Sequence, residues 1–179
     1  MPIYAIFAIR NETGKVTKEA FCLEKFGFFA RITIKNVLRA LAIEFNKNVK
    51  AGFNDYSEII EKMETEEIVI ATIKDANKRV LLITDIEYNS AVRHKAANMA
   101  LNTAIDYNKL IEEYKNWKNK DLSTQIDQEL KKVNENVVRG LASVLDRGQT
   151  LNDLVEKSEN LSSQTKKLFK TAKKQNACC

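Results

Sequence analysis

From residue 123 to residue 175, side chains recur on one narrow seam at alternating spacings of three and four, and Ile126, Leu130, Val133, Val137, Val144, Leu151, Leu154, Leu161, Leu168 and Ala172 make that seam apolar. The other seam positions are Ser123, Gly140, Arg147, Ser158, Thr165 and Gln175. A stripe this narrow, held in heptad register over so long a segment, has no globular core to pack against and indicates a coiled coil. Arg147 sits near the middle of it, between Val144 and Leu151, where an unpaired cation is costly and requires buried hydrogen-bond partners. A polar layer of this kind sets register and partner choice, so Arg147 implies helices that bring amides or carboxylates to the same level. The alternative is an arginine that snorkels out of an ordinary two-stranded coil. Gly140 weakens an isolated helix by about 1 kcal/mol relative to alanine, which predicts a segment that folds on binding.

Upstream, the pattern is that of a globular domain. Residues 3–9 and 15–23 flank Asn11-Glu-Thr-Gly14, which tolerates the positive φ of a tight turn, and read as a hairpin. Ile34, Val37, Leu38, Leu41 and Phe45 keep helical spacing and predict an amphipathic helix over 30–48, closed off by Gly52. Residues 56–63 are ambiguous, whereas 67–73 and 80–84 are β-branched runs separated by a turn over 75–78. From Asn89 or Ser90, an N-cap, a second helix carries Ala97, Leu101, Ala104, Ile105 and Ile111 on one face. The order ββα, two or three strands, helix indicates an α+β domain with helices layered on an antiparallel sheet. Boundaries fall at 1–113 for this domain, 114–122 for a polar linker around Trp117, 123–176 for the coiled-coil segment and 177–179 for a tail. Trp117 either docks on a neighbour or sits half exposed.

No run approaches the ~20 apolar residues of a membrane-spanning helix, so attachment to a membrane is expected through lipid, charge or a partner. Lys166, Lys167, Lys170, Lys173 and Lys174 lie between Asn160 and the end with no acidic residue among them, and each can add about 1 kcal/mol of attraction to an anionic leaflet. A solvated basic helix end is the plainer reading of the same lysines. Cys178 and Cys179, paired beside this basic stretch, are poor core residues and good acyl or prenyl acceptors. Cys22 is expected in the core. Three cysteines do not form a disulfide framework and fit a reducing compartment.

Val144-Leu-Asp-Arg-Gly-Gln-Thr-Leu-Asn-Asp-Leu154, followed by Val155-Glu-Lys-Ser158, resembles the central layer of R-SNAREs. The stretch from Phe169 to Cys179 resembles the lipidated longin SNARE type that lacks a transmembrane helix. Phe26-Gly-Phe-Phe-Ala-Arg31 and Asp85-Ile-Glu-Tyr88 are similar to motifs of that type's longin domain, extending the resemblance over nearly the whole chain. The resemblance implies a longin (profilin-like) fold with a five-stranded antiparallel sheet flanked by helices, followed by a helical SNARE segment. It makes Arg147 the central-layer residue, packed with glutamines from three Q-SNARE helices in a membrane-fusing four-helix bundle. It also implies S-acylation at Cys178, prenylation at Cys179, and a domain that folds back on its own SNARE helix. Phe26, Phe28 and Phe29 would then line a lipid-sheltering groove, or are ordinary core. The family ends in Cys-Cys followed by a three-residue prenylation box, and the sequence given stops at Cys179. Either three further residues follow, or a terminal Cys-Cys is modified by another prenyltransferase, as in Rab-type GTPases. The implied location is the cytoplasm, with cycling onto the cytosolic face of Golgi, endosomal or vesicle membranes in ER-Golgi and related transport.

No catalytic constellation is legible. His94 stands alone without a nearby His or Cys cluster and is expected at the surface, leaving no metal site and no His-based nucleophile pair. No cofactor is expected beyond the covalent prenyl and acyl groups. The rivals are a longin-type trafficking adaptor or coiled-coil tether, and a basic coiled coil on nucleic acid. The second is disfavoured because the formal charge is only +5 and Phe169 is the one aromatic of the C-terminal segment.

Overall fold

The computed structural model of the chain describes residues 3–50, 56–63, 66–115, 137–140, 143–145 and 148–176. Strands β1 (Ile3–Arg10), β2 (Val16–Phe21), β3 (Ser57–Met63), β4 (Glu66–Lys74) and β5 (Lys78–Asp85) form an antiparallel sheet. Helix α1 (Phe28–Asn48) packs on one face, and helices α2 (Ser90–Ala100) and α3 (Tyr107–Lys115) pack on the other. Alternation along β1 serves both layers: Phe7 and Ile9 join the α1 core, while Ile6 and Ala8 join the α2 and α3 core. With both faces covered, the central strands read as nearly continuous apolar runs. This is the α+β layer expected from the order of elements.

Local chemistry sets the turns. Gly14 takes φ 63°, the left-handed conformation in which a Cβ is penalised, and closes the β1–β2 turn. The Asp75 carboxylate accepts from the backbone N–H groups of Asn77 (2.7 Å) and Lys78 (2.8 Å), turning β4 into β5. Asn89 caps α2, its side chain accepting from the Val92 N–H at 3.1 Å. The ambiguous segment 56–63 is the strand β3. Helix α1 ends at a cap on Val49, ahead of Gly52, which lies outside the described residues.

The single helix expected from Asn89 through Ile111 is two. The Asn102 side chain accepts from the Ala104 N–H and the Asp106 side chain accepts from the Asn108 N–H, each offering the backbone a local alternative to the helix ladder. Residues 101–106 therefore turn the chain, and α3 continues through Lys115, into the first two positions of the expected linker, 114 and 115. Tyr114 is buried, and its carbonyl accepts from the Tyr88 hydroxyl at 3.0 Å. Trp117 and the rest of 116–136 lie outside the described residues.

Three further elements come from the C-terminal segment. Strand β6 (Val137–Arg139) adds to β3 in parallel, giving the sheet order β2-β1-β5-β4-β3-β6. Helices α4 (Leu151–Lys157) and α5 (Ser163–Asn176) follow and lie against α1. In this form the described residues of the segment expected to fold on binding make a strand and two separate helices. Gly140 (φ 80°), directly after β6, and Gly148 (φ 58°), ahead of α4, both occupy left-handed conformations. Ser158 and Ser162 then take over the breaks around residue 160, the Ser158 hydroxyl accepting from Asn160 N–H and the Ser162 hydroxyl from Thr165 N–H.

Candidate functional site

The surface that joins the C-terminal segment to the domain is built from the same residues that make the seam. Val144, Leu151, Leu154 and Leu161 are buried and belong to the α1 core, alongside Leu145 and Val155, which lie off the seam. Each buried Leu or Val of this kind contributes about 1.5–3 kcal/mol relative to exposure. Polar contacts fix where the segment sits. Gly140 N–H donates to the Ile60 carbonyl (2.8 Å) beyond the end of β6, and Lys50 N–H donates to the Val144 carbonyl (3.0 Å) beyond the end of α1. The Lys50 ammonium reaches the Ser143 carbonyl at 2.6 Å. Helix α4 begins with a capping box, in which Thr150 accepts from the Asp153 N–H and the Asp153 carboxylate accepts from the Thr150 N–H. That hydrogen bond from Thr150 holds the Asp153 carboxyl below its ordinary range.

The remaining expected residues fall in three groups. Val137 lies in β6, and Ala172, Lys173 and Lys174 lie in α5, though their side chains are outside the described set. Ile126, Leu130, Val133, Arg147, Cys178 and Cys179 are outside the described residues altogether. Leu168 is 54% exposed on α5, while Phe169, off the seam, packs toward the α1 core instead. Of the lysines, Lys167 is exposed, Lys170 pairs with Glu156 at 2.8 Å, and the Lys166 ammonium donates to the Glu156 carbonyl at 2.8 Å.

The three phenylalanines ahead of α1 are not equivalent. Phe26 packs against the α1 core, its ring 6.0 Å from that of Tyr4. Phe28 is 71% exposed, and the Phe29 side chain is outside the described set. Beside them a cavity of about 320 Å³ is lined by Phe21, Cys22, Leu23 and Ile32, with Glu24, Arg31, Lys35 and Glu112 at its rim. Cys22 is buried, and burial pushes its thiol above the ordinary range. Its alkylation at mildly alkaline pH is accordingly expected to be at least about tenfold slower in the folded chain than in denaturant, read by mass spectrometry of the peptide containing Cys22.

A feature with no sequence signal braces the edge on which β6 sits. Arg93 of α2, 2% exposed, meets the Glu58 carboxylate of β3 at 2.5 Å. Its other donors reach the Thr84 hydroxyl (2.9 Å) and the Tyr88 carbonyl (2.6 Å). Glu58 also accepts from the hydroxyls of Ser90 (2.7 Å) and Tyr56. Glu58 is the residue opposite Val137 in the β3–β6 register. His94, expected at the surface, is half-buried with its ring edge-on to Tyr56 at 4.4 Å.

Among the described residues no helix is long and apolar enough to cross a membrane. The synaptobrevin family profile matches residues 123–178. The chain is 31% identical to the synaptobrevin homolog YKT6 of Debaryomyces hansenii over 197 residues, covering all of this chain and 98% of that protein. It is 27% identical over 202 residues to the homolog of Saccharomyces cerevisiae, again with full coverage of this chain and 98% of the relative. Against the Schizosaccharomyces pombe homolog, identity is 39% over 69 residues, 38% of this chain and 35% of the relative. The family is not enzymatic. An α+β domain with no membrane-spanning helix among the described residues, a C-terminal segment that matches the synaptobrevin profile, and full-length similarity to YKT6 homologs together place this chain in the synaptobrevin family, as a longin R-SNARE of the type that lacks a transmembrane helix.

Proposed function

We propose that the chain drives fusion of transport membranes by supplying one helix to a four-helix bundle with three Q-SNARE helices, and that its own domain holds that helix in check. The observation that carries this reading is the double use of one set of residues. Val144, Leu151, Leu154 and Leu161 are seam positions within the segment that matches the family, and they are also buried against α1. A side chain cannot fill both places, so docking on the domain and zipping into a bundle are competing states of one equilibrium. Release requires β6 to leave β3 and residues 137–162 to become helical. The bundle then buries the whole seam, including Ile126, Leu130, Val133, Val137, Leu168 and Ala172, with Arg147 meeting glutamines in the central layer.

Membrane attachment in this account comes from an S-acyl group on Cys178 and a prenyl group on Cys179, assisted by Lys166, Lys167, Lys170, Lys173 and Lys174. One chain binds a bilayer reversibly and two bind it stably, so removal of the acyl group returns the protein to the cytosol. The protein would cycle between cytosol and the cytosolic face of Golgi, endosomal or vesicle membranes.

Mixing the chain with a panel of purified Q-SNARE helices tests the reading. A denaturant-resistant four-chain complex is expected, and Arg147→Ala is expected to weaken it by about 2–4 kcal/mol, because the facing glutamines lose their buried partner. Absence of a complex even from a variant with residues 1–114 deleted would favour a trafficking adaptor or tether.

A further inference from the structure

The start of α1 carries an exposed apolar pair. Phe28 is 71% and Ile32 54% exposed, one helical turn apart. Arg31 and Lys35 repeat the same spacing beside them, and at 3.6 residues per turn all four fall within about 100° of arc. Among the described residues neither cation has a carboxylate within ion-pairing distance: Arg31 donates to the backbone carbonyls of Phe26 (2.7 Å) and Glu24 (2.9 Å), and Lys35 lies over the Phe21 ring at 4.9 Å. The nearby acids are compensated elsewhere, since Lys115 meets Glu24 at 2.8 Å and Glu112 at 3.6 Å. That ion pair also holds the Glu24 carboxyl below its ordinary range. The first turn of α1 has no acidic residue. The result is a small apolar patch with a cationic flank.

We propose that this stripe is a membrane-docking face, with Phe28 and Ile32 entering the interfacial layer of an anionic bilayer while Arg31 and Lys35 meet its headgroup phosphates and carboxylates. Size argues for a bilayer over a protein. A stable protein interface needs roughly 800 Å² on each partner, far more than two side chains supply, whereas interfacial binding gains from a few inserted apolar groups together with cations. Phe28 and Ile32 keep that exposure while Val144, Leu151, Leu154 and Leu161 are buried in the α1 core, so the described part of the docked segment does not bury them. The domain itself therefore contributes to membrane residence, independently of lipid on the tail and of bundle formation.

Co-sedimentation of the full, unlipidated chain with vesicles of phosphatidylcholine, alone or with added phosphatidylserine, tests this. Binding to the anionic vesicles only is expected. Phe28→Ser/Ile32→Ser should lower the partition coefficient at least about tenfold, and Arg31→Gln/Lys35→Gln about 30-fold. Phe28→Trp should retain binding. Because Arg31 also tethers the loop before α1, Lys35→Gln alone serves as a second charge variant, with an expected loss of about fivefold. Equal binding to neutral vesicles would overturn the proposal. So would loss of binding on Lys166→Gln/Lys167→Gln/Lys170→Gln with no effect of the α1 variants, which would assign adhesion to α5. Failure to bind either vesicle would leave the patch to a protein partner. Assembly with Q-SNARE helices in solution should be unchanged by the α1 variants, so this proposal and the fusion reading fail separately.

Discussion

Replacing Arg93 with alanine should cost about 3–5 kcal/mol of stability, because it leaves the Glu58 carboxylate buried without its cation. Three donors are lost at once, to Glu58, Thr84 and the Tyr88 carbonyl. The Ser90 and Tyr56 hydroxyls that remain on Glu58 are neutral. Urea unfolding followed by circular dichroism should show the midpoint falling accordingly. Arg93→Lys retains the charge but not the planar fork that reaches three acceptors, and should fall between wild type and alanine. The double substitution Arg93→Met/Glu58→Leu removes both charges and should recover much of the loss, since a buried pair is worth little against apolar replacements of similar volume. A loss in the double variant as large as in Arg93→Ala would show that packing, rather than the orphaned carboxylate, governs the site. The consequence reaches the docked segment, because Glu58 sits on the strand that holds β6.

Gly140→Ala should tip the chain toward the released, helical state by about 2–3 kcal/mol, or about 30- to 150-fold. Gly140 has φ 80°, and a Cβ there would meet nothing within 4 Å, so the penalty is conformational and not steric crowding with a neighbour. That penalty is about 1–2 kcal/mol in the docked form. In the bundle helix the same alanine gains about 1 kcal/mol over glycine. Both changes favour release, which makes this position a sensitive test of whether the two states exchange. Stopped-flow mixing with Q-SNARE helices should show faster assembly if release limits the rate. An unchanged or slower rate would mean that undocking is not on the path to assembly.

The domain was legible in the sequence because its elements announce themselves locally. The β1–β2 turn at Asn11 to Gly14, the Asp75 turn and the Asn89 cap each follow from side-chain chemistry a few residues away. The break between α2 and α3 was equally local, at Asn102 and Asp106, but the apolar spacing through Ile111 masked it. What could not be read was long-range. Val137-Val-Arg139 fits a heptad as well as a strand, and its pairing with β3 rests on an edge contributed by a distant part of the chain. Nothing in the sequence pairs Arg93 with Glu58, 35 positions away and buried beside it. Val144, Leu151, Leu154 and Leu161 were correctly apolar, yet periodicity alone could not tell that their first partner is α1. On the proposed reading the segment serves two folded states, and it carries the heptad pattern of one together with residues, such as Gly140 and Gly148, whose left-handed conformations belong to the other.

Amide hydrogen exchange on the free chain and on the assembled bundle tests the central claim most directly. In the free chain, slow exchange is expected at the Gly140 N–H, which donates to Ile60, and at the Lys50 N–H, which donates to Val144. On assembly, the β3 edge and Lys50 should become fast-exchanging while residues 137–162 acquire the protection of a continuous helix. Protection at Lys50 and along β3 that persists unchanged in the assembled complex would contradict the account, because docking and bundle formation would then not compete for the same residues.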